Sequence, residues 1–230
     1  MIEKLKKLAN KFDLDFNKKW FKHIWISKKE NILLEYIWMC PDPIYSKYGR
    51  CPFERAKQIE NFLTSTDFEQ ELLHRFGGQV INKKTFTKYF LKWVNEIENL
   101  EIKSFYRNLY KKIISALDNY NRIAILTESE KETENKKLKT FVLFHEWIHV
   151  LVNENNLKPK NWKYNEGLVT YFQEFAEGKL DNLEKGIEKW KHYGFQKQYF
   201  VYAIKFRELL KNVETSSERK IKLKKFLKGK

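Results

Sequence analysis

The segment His145-Glu146-Trp147-Ile148-His149 constrains the fold of this chain more than any other feature. Its two histidines are four residues apart, and residues i and i+4 of an α-helix lie on the same face. Both imidazoles can then bind one metal ion, while Glu146 lies beside the ion and can act as a base towards water. The segment therefore predicts a helix that carries two metal ligands and one catalytic carboxylate.

The amino-acid composition predicts a folded, mostly helical protein. Of 230 residues, 42% are hydrophobic and 16% are aromatic, which is enough apolar material for a buried core. The chain has 8 glycines and 4 prolines, fewer than an all-β protein needs for its turns. We expect an α+β fold with a mainly helical N-terminal region at 1–119, a core at 120–212 and a basic tail at 213–230, forming one compact unit.

The net charge of +15 permits two interpretations. A basic protein can bind an anionic partner such as nucleic acid, or it can carry a lysine-rich solvated surface. Because lysine and glutamate are mixed along most of the chain, the second interpretation is favoured. The tail at 211–230 holds eight Lys/Arg and two Glu, and it predicts a terminal helix with a basic face. Nucleic-acid binding is kept as an alternative.

The sequence predicts a cytoplasmic protein with no membrane span. Its longest apolar runs are much shorter than a transmembrane helix requires, and no apolar segment of a secretory signal follows the basic N-terminus. Cys40 and Cys51 flank a loop-like segment. In the cytosol of a mesophile both cysteines are expected as reduced thiols, whereas in a hyperthermophile they could form a disulfide.

The spacing of apolar residues predicts the elements that would carry these groups. Helices are expected at 1–12, 53–76, 84–99, 102–119, 138–154, 165–176, 181–192 and 195–212. Residues 122–127 are the clearest strand, and 31–39 is either a strand or a buried helix.

A third metal ligand is expected downstream of the two histidines, because a catalytic zinc ion takes three protein ligands and keeps one position for water. Glu166 lies in a second helical segment, and sixteen residues separate it from His149. That length is enough to end the first helix, reverse the chain and begin a helix beside it. Glu166 would then face both histidines.

The two segments together resemble the gluzincin zinc metallopeptidases. The match consists of 144–150, Phe-His-Glu-Trp-Ile-His-Val, followed by 162–171, Trp-Lys-Tyr-Asn-Glu-Gly-Leu-Val-Thr-Tyr. It is most similar to the catalytic core of the aminopeptidase N family, whose second motif has a tryptophan before Asn-Glu-Gly and continues as a helix with a tyrosine. The resemblance covers about 140–176 and implies a zincin-like core with a small sheet.

This resemblance implies zinc-dependent hydrolysis of peptide bonds in a peptide or protein substrate. His145, His149 and Glu166 would be the zinc ligands, and Glu146 the general base. The chemistry of the residues agrees, since two neutral imidazoles and one carboxylate leave the site a net positive charge that lowers the pKa of water. Glu146 would take the proton of the attacking water and deliver it to the leaving amine.

The chain departs from the family pattern in its spacing, since the gap of sixteen residues is slightly shorter than the family norm, and at two further places. Position 170 is Thr170, where thermolysin-like relatives place an aspartate that orients the first histidine. Another acceptor must do this, and Glu174 and backbone carbonyls are the candidates. No Gly-x-Met-Glu-Asn segment, which binds the free amine of an aminopeptidase substrate, precedes the first motif. The choice between endopeptidase and exopeptidase therefore stays open.

Two further parts of the predicted site have several candidates. Such sites commonly hold the oxyanion with a tyrosine or histidine; of the candidates after Glu166, we select Tyr193 over His192, Tyr199 and Tyr202. The strand at 122–127 is either an edge strand that pairs with the substrate or an ordinary core strand.

The site also permits interpretations without catalysis. Both histidines could be buried polar residues of a core helix, with Glu146 as a solvent-facing charge. Alternatively, the protein is a catalytically silent zincin-fold scaffold that only binds its partner.

Overall fold

The computed structural model describes residues 1–31, 34, 78–95, 97–127, 136–189, 191 and 194–228. The helix predicted at 53–76, both cysteines, Cys40 and Cys51, and most of the segment 31–39 lie outside this part of the chain. The described residues are mostly helical with a small three-stranded sheet, which confirms the expected fold class at that level. Among these residues, no helix has the length and apolarity that crossing a membrane requires.

The chain divides into two compact units, which we call the helical unit and the sheet unit. The helical unit consists of Met1–Phe21 and Leu143–Lys230, and the sheet unit of Lys22–Val142. The three-part division expected from the sequence stays a prediction.

The described residues of the sheet unit include three strands and two helices between the second and third of them. The strands are β1 (His23–Ile26), β2 (Gly78–Asn82) and β3 (Arg122–Thr127), and the helices between β2 and β3 are α2 (Lys83–Asn95) and α3 (Leu100–Leu117). The strand order is β1-β3-β2, with β3 parallel to β1 and antiparallel to β2.

The pairing of the central strand β3 shows whether residues 122–127 form an edge strand or a core strand. Its backbone pairs on one side with β1, from His23 opposite Ala124 onwards, and on the other with β2, where Gln79 is opposite Ile125. Every residue of β3 after Arg122 is buried. Because both of its edges are already paired, an added substrate strand has no free hydrogen-bonding edge there. The edge-strand interpretation is therefore wrong, and β3 is a core strand.

The core of the sheet unit is apolar and rich in aromatic rings. Phe86 and Phe90 of α2 have ring centroids 4.5 Å apart, and both stack on Tyr110 of α3 at 5.6 and 5.8 Å. Asn99 begins α3, since its side chain accepts from the backbone N–H groups of Glu101 and Ile102. The buried cluster comprises Ile26, Leu34, Ile81, Phe86, Phe90, Val94, Ile97, Tyr106, Leu109, Ile113, Leu117, Ile123 and Ile125.

The helical unit contains the predicted site. Its helices are α1 (Ile2–Lys11), α4 (Lys136–Glu154, of which the part from Leu143 onwards belongs to this unit), α5 (Trp162–Glu177), α6 (Leu183–Lys189), α7 (Gly194–Leu210) and α8 (Ser216–Lys228). The helix expected in the basic tail is therefore present as α8.

Local signals determine the two ends of α5. The Asn161 side chain accepts a hydrogen bond of 2.9 Å from the backbone N–H of Lys163 and so caps the start of the helix. At the other end Gly178 has φ of 70°, a left-handed conformation that glycine adopts without steric cost. The helix therefore begins three residues before the predicted start at 165.

The first helix packs directly against α5. Phe12, at the end of α1, is fully buried and lies 4.6 Å from Phe172 and 5.1 Å from Phe175 between ring centroids. The end of α4 is held to the same N-terminal segment, because the Asn155 side chain bonds both the N–H and the carbonyl oxygen of Asp15. These contacts hold α4 and α5 in one packed unit with the N-terminus.

Candidate metal centre

Helix α4 presents its two histidines side by side. The ring centroids of His145 and His149 are 4.9 Å apart, as expected for neighbours on one helix face. Between them, Trp147 and Ile148 are buried, and the Trp147 ring packs on Phe21 at 5.9 Å. These apolar contacts fix the rotation of the helix about its axis and so direct both imidazoles to the same place.

Helix α5 brings the third predicted ligand to that place. The Glu166 carboxylate lies between the two imidazoles, with Oε2 3.3 Å from His145 Nε2 and Oε1 3.4 Å from His149 Nε2. The three candidate ligand atoms all lie within 4.8 Å of one another. The prediction that Glu166 faces both histidines is confirmed.

The spacing of these atoms fits a metal ion. Bonds of about 2.0–2.2 Å in a tetrahedral arrangement put neighbouring ligand atoms about 3.3–3.6 Å apart. The two nitrogen–oxygen distances, 3.3 Å to Oε2 and 3.4 Å to Oε1 of Glu166, each fall in this range. Two imidazoles and a carboxylate are also the donor types that zinc accepts in catalytic sites. The residues present therefore fit a metal ion, and zinc among the metals that take such donors.

The site is partly open. The side chains of His145, His149 and Glu166 keep 16%, 10% and 20% of their exposure. Glu146, next to the first histidine, is only 6% exposed. A small probe or a substrate atom can therefore reach the ligand cluster, while the neighbouring carboxylate lies in a poorly solvated environment.

Each imidazole also faces an amide side chain with its second nitrogen. His145 Nδ1 lies 2.9 Å from Gln173 Oε1, and Gln173 is only 2% exposed. His149 Nδ1 lies 3.3 Å from Asn165 Nδ2, while the Oδ1 atom of Asn165 is buried without a hydrogen-bond partner. A half-turn of the Asn165 amide exchanges these two atoms and lets His149 Nδ1–H donate to Oδ1. That is the arrangement required when Nε2 of His149 binds a metal.

The electrostatics of the cluster favour a cation. Burial alone lowers the pKa of His145, but the hydrogen bond and charge of Glu166 and the charge of Glu146 outweigh it and raise the pKa to about 9. Burial alone raises the pKa of Glu166, but the charge of His149 and hydrogen bonds with both histidines hold it far below its ordinary value. Without a metal, a proton on His145 supplies the positive charge that two adjacent buried carboxylates require.

Glu146 has the electrostatic character of a base. Burial raises its pKa above the ordinary value of 4.5, and the charge of Glu166 adds to this, while the charges of His149 and His145 oppose it. A carboxylate with a raised pKa is a stronger proton acceptor than a solvated one, and it can also release the proton again.

The glycine after Glu166 has a packing role. A Cβ atom built on Gly167 would lie 2.3 Å from Tyr202 Cβ and 2.9 Å from the Tyr202 carbonyl carbon. Only glycine lets α7 approach α5 this closely. The approach fixes α7 next to Glu166.

Helix α7 carries Tyr199 one turn before Tyr202. Its ring lies 6.3 Å from that of Trp162, at the start of α5. Burial raises the pKa of Tyr199 well above its ordinary value, and the charges of Glu166 and Glu146 raise it further. The phenol therefore keeps its proton at neutral pH and can act as a hydrogen-bond donor.

The remaining sequence predictions have mixed outcomes. Tyr193 and His192 lie outside the described residues, so the choice of Tyr193 for the oxyanion stays a prediction. The acceptor for His145 is Gln173 and not the candidate Glu174. Burial raises the pKa of Glu174, and the charge of Lys179 partly offsets this rise. The signal was in the sequence, because Gln173 follows Glu166 by seven residues, which is two turns along the same helix face.

No protein-family model, no curated protein and no solved structure matches this chain.

Proposed function

We propose that this protein is a gluzincin-like metallopeptidase with a zincin-like core, and that it hydrolyses peptide bonds with the help of zinc. One observation carries the proposal. The Nε2 atoms of His145 and His149 lie 3.3 and 3.4 Å from the two carboxylate oxygens of Glu166, a spacing compatible with zinc ligands, and the buried Glu146 follows His145 directly on the same helix.

In this proposal His145, His149 and Glu166 hold the ion. When bound, zinc supplies a Lewis acid that polarises a carbonyl group and lowers the pKa of water. The donor set leaves the centre with one net positive charge, and the exposure of all three side chains leaves room for substrate.

Glu146 acts as the general base and then the general acid. Its carboxylate takes a proton from the water that attacks the peptide carbonyl, and it passes the proton to the leaving amine. Burial raises the pKa of Glu146 and so supports both steps. The ionised carboxylate is a stronger base for the first step, and the protonated carboxyl forms more readily for the second.

Tyr199 is the described residue best suited to stabilise the developing negative charge on the carbonyl oxygen. Its phenol retains its proton and lies on the side of the site formed by α7. A hydrogen bond from a neutral donor at this point strengthens as the oxygen gains charge.

The test combines metal analysis with a hydrolysis assay. Purified protein should contain one zinc ion per chain and should cleave an unfolded protein such as reduced casein. Glu146→Gln should lower the cleavage rate by about 10²–10⁴-fold while it keeps the zinc. His149→Ala should lose both zinc and activity.

Glu154→Gln is the matched control, since it makes the same substitution two turns further along α4 and should leave the rate unchanged. The proposal fails if the purified chain takes up no stoichiometric zinc. It also fails if Glu146→Gln cleaves as fast as the unaltered protein. Zinc uptake without any cleavage would instead support the silent-scaffold alternative.

A cavity on the helical unit keeps nucleic-acid association as a second candidate. It has a volume of about 430 Å³ and is lined by Lys7, Asn10, Lys11, Glu214, Ser216 and Arg219. Three cationic side chains can contact phosphates, and binding through them must weaken steeply with salt. Binding of a labelled duplex that falls with salt and is lost in Lys7→Glu/Lys11→Glu would support this function; equal affinity in that double variant would contradict it.

A further inference from the structure

Both imidazoles of the metal centre are oriented by amides. Of the two nitrogens of each ring, Nε2 faces Glu166 and Nδ1 faces an uncharged amide: Gln173 for His145 and Asn165 for His149. In many zinc sites a carboxylate occupies such a position, makes the ligand more basic and compensates part of the metal charge. The two described partners here carry no charge.

The contact of Gln173 with His145 is the better defined of the two. Its length is 2.9 Å, against 3.3 Å for the Asn165 contact, and Gln173 is almost fully buried on α5. Since Oε1 of an amide only accepts hydrogen bonds, His145 Nδ1 must carry the proton and donate it. Nε2 is then the ring nitrogen that would bind a metal.

The geometry of α5 makes this contact part of the metal centre. Glu166 and Gln173 are two turns apart on one face of the helix, and they contact the two different nitrogens of the same ring. Rotation of the His145 ring would break one contact or the other. Gln173 therefore fixes the tautomer and the orientation of this ligand together.

We infer that Gln173 is a positioning residue for the metal ligand His145, and that its neutral amide makes the site hold zinc more weakly than a carboxylate there would. This inference rests on the proposed metal site but not on peptide hydrolysis. A carboxylate attracts the doubly charged ion more strongly than the single proton that competes with it, so its net effect is tighter zinc binding. An amide leaves more of the metal's charge uncompensated.

The test is a zinc titration of the full-length protein in competition with a chromophoric chelator. Gln173→Leu removes the acceptor and should weaken zinc binding by about 10–100-fold. Gln173→Glu restores an acceptor of the same length and should bind zinc more tightly than the unaltered protein. Gln173→Asn keeps the amide but withdraws it from the ring, and should weaken binding in the same direction as Gln173→Leu.

Thr170→Val is the matched control. Thr170 is buried on the same helix, at the position where thermolysin-like metallopeptidases have an aspartate. The substitution should leave the zinc affinity unchanged. If Gln173 had only a structural role, Gln173→Glu and Gln173→Leu should both weaken zinc binding. If Gln173 positions His145, Gln173→Glu should keep or strengthen zinc binding.

The outcomes separate this inference from the proposed function. If the unaltered protein binds zinc and Gln173→Leu and Gln173→Asn bind it equally well, the positioning role is wrong and the metal site stands. If Gln173→Glu binds zinc more weakly than the unaltered protein, the neutral amide of Gln173 is not what limits the zinc affinity, and this part of the inference is overturned. Failure of the unaltered chain to bind zinc overturns the metal site itself, and this inference with it.

Discussion

Buried polar side chains are distributed unevenly between the two units. In the sheet unit, the described residues include Asn31 and Thr127 as buried polar side chains, beside a large apolar cluster. In the helical unit, the corresponding group is larger and includes two ionisable residues: Glu146, His149, Asn155, Asn165, Thr170 and Gln173. Most of this second group surrounds the metal centre.

The two kinds of core have opposite energetic consequences. Apolar burial stabilises a fold by roughly 25 cal/mol for each Å² removed from water. Buried carboxylates and imidazoles cost free energy unless they are paired or bind a metal. The sheet unit therefore has the features expected of a stabilising core, while the site of the helical unit is retained at a cost in stability. Such a cost is usual at functional sites.

Removing a ring from the apolar core should give the largest loss of stability. Phe90 is fully buried and contacts Phe86, Tyr106 and Tyr110. Phe90→Ala should lower the free energy of unfolding by about 3–5 kcal/mol, because it removes apolar contacts and leaves a cavity. Urea unfolding followed by circular dichroism measures this. The zinc affinity should not change; a loss of zinc binding in a variant that remains folded would contradict the separation of the two cores.

Zinc should stabilise the protein through the polar core alone. With free zinc at 100 times its dissociation constant, the free energy of unfolding should rise by about 2.7 kcal/mol relative to the chelator-treated protein. Thermal unfolding with zinc and with chelator measures the difference. In His149→Ala the two melting curves should coincide, and a zinc-induced shift that survives in this variant would place the ion elsewhere.

Glu146 should lower the stability of the metal-free protein. Burial raises its pKa above 4.5, so this carboxyl favours folding least when it is ionised. The penalty is absent below pH 4.5 and grows as the pH rises through the pKa in the folded state. Glu146→Gln should therefore stabilise the metal-free protein near neutral pH by roughly 0.5–2 kcal/mol.

Unfolding curves of Glu146→Gln across the pH range supply the check. The gain in stability should shrink as the pH falls towards 4.5. If Glu146→Gln is less stable than the unaltered protein at neutral pH, the carboxylate contributes to stability through a contact, and the polar core of the helical unit is not retained at a cost in stability.

Local signals explain why the metal ligands could be predicted. The i, i+4 spacing of His145 and His149 places both on one face of any helix, and Glu166 needed only a second helix beside the first. The α5 helix also begins by a local rule, since Asn161 caps it, although the predicted start was later.

Long-range contacts explain what the sequence did not reveal. Strands β1 and β2 were not predicted, because His23–Ile26 and Gly78–Asn82 are short and owe their conformation to pairing with β3. The close approach of α7 to α5 at Gly167 was not predicted either, since it depends on a contact between two helices that are separated in the sequence.

The smallest expected effect comes from an ion pair at the surface of the helical unit. Lys4 Nζ on α1 lies 2.5 Å from Glu177 Oε1 on α5, with exposures of 48% and 25%. The hydrogen bond from Lys4 is the main cause that lowers the pKa of Glu177. Because solvent screens such pairs, Lys4→Met should cost less than about 1 kcal/mol at neutral pH.

The pH dependence of this small effect distinguishes it from a packing effect. A carboxyl with a lowered pKa stabilises the fold above its unfolded-state pKa, near 4.5, and this contribution is lost as the pH falls through the lower folded-state value. The stability difference between Lys4→Met and the unaltered protein should therefore vanish in acid and also shrink in high salt. A difference that persists under both conditions would mean that the lysine stem stabilises the α1–α5 contact by packing. Part of the stability of the helical unit would then depend on apolar contacts near its surface, in addition to those of its core.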